Sequence, residues 1–482
     1  MLVRLILGAS LVTALSAQTL DTVVYFPYEV WQLFHVPEGN KLYVAAFVRD
    51  SGTHHIYILD CSTMAVRAVI PTGTDQVFAA PRAAWCPRHN KVYLGVYFYS
   101  SPDTAGLAVI DNATDSVLLR LPVGVHQRGI AYSSLSDKLY AVGTTPSPGT
   151  ITVLDCAADT VLKTITPADY SPALLAVWDS VGDQVYIGCW GWSNADRVTV
   201  IDCRTDSVVA VIRSRVGGPE VAAYSPLQRK LYVGTTEGRG LCVIDCATNS
   251  VIKRFDSIVT VPLSVPVYCS GEDKVYWPRW TGPPDTLYVI DCATDSIIRK
   301  IPTPGRHFLY GAYASWNNRL YVASIVPHDN LLTVFDCRTD SIIGQTRFGV
   351  SAMEVVCNPI DHRIYVSDFW DSAVYVFRED LQPLAEEPTL VPAPLLLQLW
   401  PNPARDRVTI RWQIPTETEL SLRVYNTAGQ LVRTLVNGRR KPGRYMLVWD
   451  LSGAGGRHVG AGLYFVALDF NGTRAMMKVP VW

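Results

Sequence analysis

The chain has 482 residues, 49% of them apolar and only 18% charged, with a formal net charge of −1. That composition excludes a disordered chain and leaves room for two or three domains around a large core. The charge is uneven: from Gln398 onward 12 Lys and Arg face 5 Asp and Glu, against 30 and 38 before it, and an acidic main body speaks against nucleic acid as a partner.

In chain order, the first 17 residues read as a secretory signal peptide. Arg4 supplies the charged start, Leu5 to Leu15 the apolar run, and Ala14-Leu15-Ser16-Ala17 the small-residue cleavage zone. The apolar run is too short for a permanent span, and no later stretch is long enough for one. The mature protein is therefore expected outside the cytoplasm with no membrane span. LDTVVYFP, Leu20 to Pro27, follows as a strand with no partner strands beside it.

Two motifs then recur. A KLYV-like run opens at Lys41, Lys91, Lys138, Gln184, Lys230, Lys274, Arg319 and Arg363, at intervals of 44 to 50 residues. An Asp-Cys-x-Thr-Asp-like run follows the first seven copies, beginning at Asp60, Asp111, Asp155, Asp202, Asp245, Asp291 and Asp336, with Asn112 replacing the cysteine once. Each period holds four short runs rich in Val, Ile and Tyr, separated by turn formers, and several are apolar on both faces. A row of four-stranded sheets, each covered by its neighbours, is a β-propeller. The eighth period lacks its fourth strand, and LDTVVYFP has the character of one. The N-terminal strand is thus expected to complete the last sheet and close a ring over residues 18–381. Eight blades result, or seven if one period is an irregular insertion.

Six copies of Asp-Cys suggest metal or redox chemistry, yet the motif falls between the third and fourth strands, where Asp and Thr pin a tight turn. Equivalent cysteines on neighbouring sheets stand about 10 Å apart, too far for a disulfide. They are expected to be small core residues that neither staple blade to blade nor share a metal. Cys86, Cys189, Cys242, Cys269 and Cys357 lack CxxC spacing and read mostly as core, with an incidental disulfide left open.

No nucleophile, metal or phosphate motif is present, so neither a catalytic residue, a metal site nor a cofactor is expected. His54 and His55 read as solvated. Nine to thirteen residues before the KLYV copies, on loops expected to enter the innermost strand at the channel mouth, stand Trp31, Arg82, His126, Arg128, Glu220, Arg306, His307 and Glu354. They interrupt an apolar pattern at one level and are either water-satisfied channel groups or the ring of a ligand site at the mouth. A non-catalytic binding scaffold for a protein or glycan is the first reading. A channel-mouth lyase or lactonase would need His126 or His307 close to Glu220 or Glu354.

The paired KLYV and VID-x-x-T motifs resemble the YVTN repeat family, which includes YncE-like periplasmic propellers, over residues 20 to 380. The resemblance implies the propeller, and through YncE it raises nucleic-acid binding as a further alternative. It implies no single function.

Residues 382–397, QPLAEEPTLVPAPLLL, form a Pro-rich linker. Residues 398–482 then carry alternating apolar runs and Gly-marked turns that fit a small immunoglobulin-like sandwich. Pro401-Asn402-Pro403, Val424-Tyr425-Asn426, Gly429, Val432, Trp449-Asp450, Gly456, Val459, Gly462-Leu463-Tyr464-Phe465 and Lys478 resemble the C-terminal sorting domain of type IX secretion substrates, similar to the FlgD Ig-like domain. Pro480 and Trp482 depart from its usual ending. The resemblance implies the type IX machinery as partner and a secreted or cell-surface location, reached through the periplasm of a Gram-negative-type bacterium.

Overall fold

The computed structural model describes residues 18–47, 53–74, 83–96, 106–121, 123, 125–145, 149–167, 171–190, 196–235, 240–256, 265–279, 286–303, 308–324, 331–379, 397–400, 404–405, 407–414, 417–441 and 443–482. The expected signal peptide lies outside them, as does the expected linker except for Leu397, which begins a strand. The chain divides into two compact units, Met1–Leu384 and Ala385–Trp482.

The first unit contains eight antiparallel four-stranded sheets. Seven are built from consecutive strands. Blade 1, for example, runs Glu29–Val36, Lys41–Phe47, Thr53–Asp60 and Val66–Thr74. The eighth takes Ala352–Asn358, Arg363–Asp368 and Ala373–Glu379 from the end of the unit, and Gln18–Tyr25 from its start. Val23 pairs with Tyr375 and Val24 with Val374, as expected for a ring closed by the N-terminal strand.

Apolar side chains on both faces of each sheet explain the closure. Each of eight hydrophobic clusters joins one blade to the next. The cluster containing Val30, Leu33, Tyr365 and Val376 joins blade 8 back to blade 1. With no uncovered end, no apolar sheet face is left to water. The fourth strands form the exposed outer rim, as the alternating exposure of Ser116–Leu121 shows. Each fourth strand skips a residue near its start, from Arg67 in blade 1 to Ile343 in blade 7, blade 1 skips Thr72 as well, and the N-terminal strand skips Asp21. Such bulges increase twist and blunt an edge.

The Asp-Cys turn is a turn, as its composition indicates. Asp60 Oδ1 accepts the Ser62 and Thr63 amides at 3.0 Å each, and Asp202 and Asp336 do the same in their blades. The fifth residue of each turn is left-handed, from Met64 (φ 58°) to Asp340 (φ 51°), and in six of the seven it is Asp or Asn, which tolerate that conformation.

That fifth residue has a second partner, which the turn reading did not contain. The lysine and tyrosine of one blade's KLYV run reach the turn of the next blade. Lys274 Nζ donates to both Asp340 oxygens and to the Cys337 carbonyl, each at 3.0 Å, and the Tyr276 hydroxyl donates to Asp340 at 2.5 Å. Lys91 with Asp159 (2.6 Å), Lys138 with Asp206 (2.7 Å) and Lys230 with Asp295 (2.8 Å) repeat the clasp, as does Lys41 with Asp115. In blade 4 the lysine is Gln184, and the partner in blade 5 is Asn249, reached by Tyr186. Cation and anion are lost together.

The expectation that the six Asp-Cys cysteines do not staple blade to blade rests on comparing them with one another. It holds between Asp-Cys cysteines, which never meet one another. Two of them, however, meet a cysteine at the end of the preceding blade's first strand: Cys337 lies 3.4 Å from Cys269, and Cys156 is within 4.8 Å of Cys86.

The second unit packs two sheets as a β-sandwich. One comprises Leu397–Trp400, Val408–Ile414 and Gly443–Trp449; the other comprises Leu431–Arg440, Thr418–Asn426, Gly462–Phe470 and Thr473–Val481. Fully buried Trp449 lies in the shared core with Val408, Leu422, Val424 and Val466, and its indole N–H donates to the Ser452 carbonyl at 2.8 Å.

Replacing Lys274 by Met leaves Asp340 buried without its cation, and removing one member of such a pair costs about 3 kcal/mol. The midpoint of propeller unfolding in denaturant is expected to fall accordingly. The double replacement Lys274→Gln with Asp340→Asn, which copies Gln184 and Asn249, is expected to recover most of the loss.

Candidate functional site

First strands of successive blades touch one another around the ring, so they line the central channel. Six of them break register with a bulge or irregularity, in blades 1, 3, 4, 5, 7 and 8. The skipped residues include Trp31, Arg128 and Glu220, and Glu354 directly follows the bulge in blade 8. A bulge re-aims a side chain out of the regular alternation, which is why these residues broke the apolar pattern. His126 and Arg128 lie on the strand Val125–Ser133, and only their backbone is described. Arg82, Arg306 and His307 lie outside the described residues. Glu220 is buried, at 6% exposure. The enzyme alternative's pairing of His126 or His307 with a glutamate therefore involves side chains outside the description.

The described part of the mouth is best defined where blade 8 meets blade 1. The Ser367 hydroxyl donates to the Trp31 carbonyl at 3.2 Å. The Trp31 ring meets Phe369 edge-on, with centroids 5.1 Å apart, and Phe369 meets Trp370 in the same way at 5.0 Å. This aromatic chain runs outward from the channel wall through buried Phe369 to Trp370, which is 51% exposed. The Trp31 indole N–H is buried with no acceptor among the described residues.

Asp368 anchors the turn that carries these rings. Its Oδ2 accepts the Val350 and Ser351 amides at 2.5 and 2.9 Å, and its Oδ1 accepts the Asp371 amide at 2.8 Å. Gly349 must be glycine here: its φ is +34°, and a Cβ would stand 2.0 Å from Asp368 Oδ2. Burial, reinforced by the Asp371 charge, pushes the Asp368 carboxyl up to about 6, although three amide donors oppose the shift.

A cavity of about 150 Å³ lies nearby. Glu354 and Gln32 form its polar part, and its apolar wall includes Leu33, Ile56 and Leu94. Its volume is below the roughly 300 Å³ at which pockets begin to enclose a drug-sized ligand, so it suits water or a small group. His55, expected in solvent, instead stacks on Tyr28 at 5.0 Å, and burial lowers its pKa. Sequence reading also missed Phe369 and Trp370; an exposed Trp beside two aspartates in DFWDS was the available signal.

Comparison with known proteins separates the two units. Residues 398–481 match the family model of the secretion system C-terminal sorting domain. The protein is exported. The sorting domain is of the type IX kind and indicates secretion or cell-surface attachment, with engagement of the secretion machinery. The match includes Pro480, so the unusual ending does not remove the segment from the family. No curated protein sequence matches the chain significantly. Among solved structures, the C-terminal WD40 domain of Sif2 is similar, with a TM-score of 0.55 and 10% identity over 76% of this chain and 99% of that one. At that identity the similarity speaks for the propeller fold alone. Among the described residues no helix is long and apolar enough to cross a membrane.

A pH dependence follows from Asp368. Its folded pKa lies above the usual carboxyl value of 3.8, so its stabilising contribution is complete below that value and is lost as pH rises through about 6. The thermal midpoint of the propeller is expected to fall between pH 5 and pH 7. Asp368→Asn, which cannot titrate, is expected to flatten that part of the profile.

Proposed function

We propose that this protein is a non-catalytic binding module, with YVTN-type repeats, that works outside the cell. In this reading the sorting domain delivers a rigid ring, and the ring mouth at the junction of blades 8 and 1 takes a protein or glycan ligand. The observation that carries the proposal is the pairing of a sorting domain with an aromatic chain ending on exposed Trp370. A half-exposed indole on an ordered support offers a large apolar face at little entropic cost. The acidic balance of residues 1–397, 30 Lys and Arg against 38 Asp and Glu, favours such a ligand over nucleic acid.

Two measurements test this reading. In a bacterium with a type IX system, deletion of residues 398–482 is expected to leave the propeller inside the cell envelope while the full chain reaches the medium or surface. Titration calorimetry of the full chain against a panel of soluble plant and bacterial oligosaccharides and extracellular-matrix peptides is expected to give binding that Trp370→Ala weakens at least tenfold. Turnover of any panel member by the wild-type chain would refute the non-catalytic reading.

A further inference from the structure

The last residue of each first strand faces the Asp-Cys turn of the following blade. Ser133 faces Cys203, Ser225 faces Cys292, and Asp179 lies beside Cys246. At two junctions both positions are cysteine: Cys86 with Cys156 between blades 2 and 3, and Cys269 with Cys337 between blades 6 and 7. These junctions are four blades apart in a ring of eight, so they lie on opposite sides of it. All four thiols are fully buried. The Cys269 and Cys337 sulfurs are 3.4 Å apart, inside ordinary van der Waals contact.

We propose that Cys86–Cys156 and Cys269–Cys337 are disulfide sites, which cross-link blade 2 to blade 3 and blade 6 to blade 7 in the exported protein. The compartment supports this, because the chain leaves the reducing cytoplasm. So does the geometry of the first pair. The Cys156 and Cys86 thiols hydrogen-bond to one another, so the packed blades hold the two sulfurs side by side where the bond would form.

The oxidant required is a disulfide, either on a periplasmic dithiol oxidant or on a small molecule. The Cys86 thiolate attacks one oxidant sulfur and expels the other as a thiolate, giving a mixed disulfide. The Cys156 thiolate then attacks the Cys86 sulfur and expels the remaining oxidant sulfur. Two thiols and one oxidant disulfide thus become one inter-blade disulfide and two oxidant thiols, and the oxidant gains two electrons and two protons. Because the pairs are buried in the closed ring, exchange takes place before the later blade packs over the earlier one.

A metal is the competing occupant at the first pair, where an Asp137 oxygen also lies within 4.8 Å of both sulfurs. Two features favour the disulfide. Both Asp137 oxygens already accept hydrogen bonds, from Tyr132 at 2.8 Å and from His89 at 2.7 Å. The second pair, moreover, has Asn318 at the position of Asp137.

The test is thiol counting on the full chain, exported, purified without reductant and alkylated in denaturant with chelator. Seven of the eleven cysteines are expected to react. Proteolysis is expected to yield two reductant-sensitive linked peptides, joining Cys86 to Cys156 and Cys269 to Cys337. Cys86→Ser and Cys269→Ser place at each site the serine that blades 3 and 5 already carry. Each is expected to fold, to lose only its own link and to expose eight reactive thiols. Alkylation of all eleven cysteines, links between other residues, or a metal retained by the native protein with Cys86 and Cys156 both reactive after chelation would each overturn the proposal.

Discussion

The ring depends on one repeated interaction, the clasp between a lysine and tyrosine of one blade and the Asp-Cys turn of the next. Apolar packing between sheets supplies most of the cohesion, but it is non-directional and leaves two flat faces free to slide. The clasp is directional. Lys274 meets two carboxylate oxygens and one carbonyl at fixed distances, so it sets the height of one blade against the next. The joint loss of charge at Gln184 and Asn249 shows that the constraint is on the pair. A lone Asp there would be a buried anion without a cation, and a lone Lys the reverse.

Closure interrupts this scheme on both sides of blade 8, since the turn of blade 1 has Met64 where the others have Asp or Asn. Blade 8 has no covalent turn between its third and fourth strands, since its fourth strand arrives from the N-terminus. Other groups supply the connection. Asp21, the bulged residue of the N-terminal strand, pairs with Arg363 at 2.9 Å and Arg378 at 3.1 Å, and Thr346 of blade 7 donates to the Gln18 carbonyl at 3.2 Å. Arg363 also reaches the Cys61 carbonyl of blade 1. The same arginine therefore secures the closing strand and the junction between blades 8 and 1, beside which the aromatic chain of the mouth is assembled.

How much of this was legible in the sequence depended on how local each signal was. The period, the four strands per blade and the Asp turn are written within a few residues, and the closing strand could be inferred because Leu20 to Pro27 looked like a fourth strand. The clasp was not read, because Lys274 and Asp340 are 66 residues apart and each has a sufficient local role. Its trace, Gln184 together with Asn249, was visible once the repeats served as their own alignment. Like positions on adjacent blades are far apart, whereas the Cys269–Cys337 contact joins unlike positions and has no local signature. The bulges at Trp31, Arg128 and Glu220 were seen only as breaks in pattern. One extra residue in an apolar strand carries no signature of its own, and the pairing register reveals it.

The two ends of the ring carry different constraints. Antiparallel order places the first-to-second and third-to-fourth turns at one end and the remaining connections at the other. At the first end the left-handed residue recurs before every KLYV copy, from Asn40 (φ 47°) to His362 (φ 52°), and the clasp fixes the third-to-fourth turns beside it. Changing a residue there breaks a junction between blades. At the other end the second-to-third connections range from four residues after Asp368 to nine after Val96. Sequence at that end is free to vary without opening the ring, so a ligand surface can change there at little cost to stability. Trp370 is at that end. Its turn is held locally by Asp368, which accepts the Val350, Ser351 and Asp371 amides, while the clasps at the opposite end hold the blades against one another.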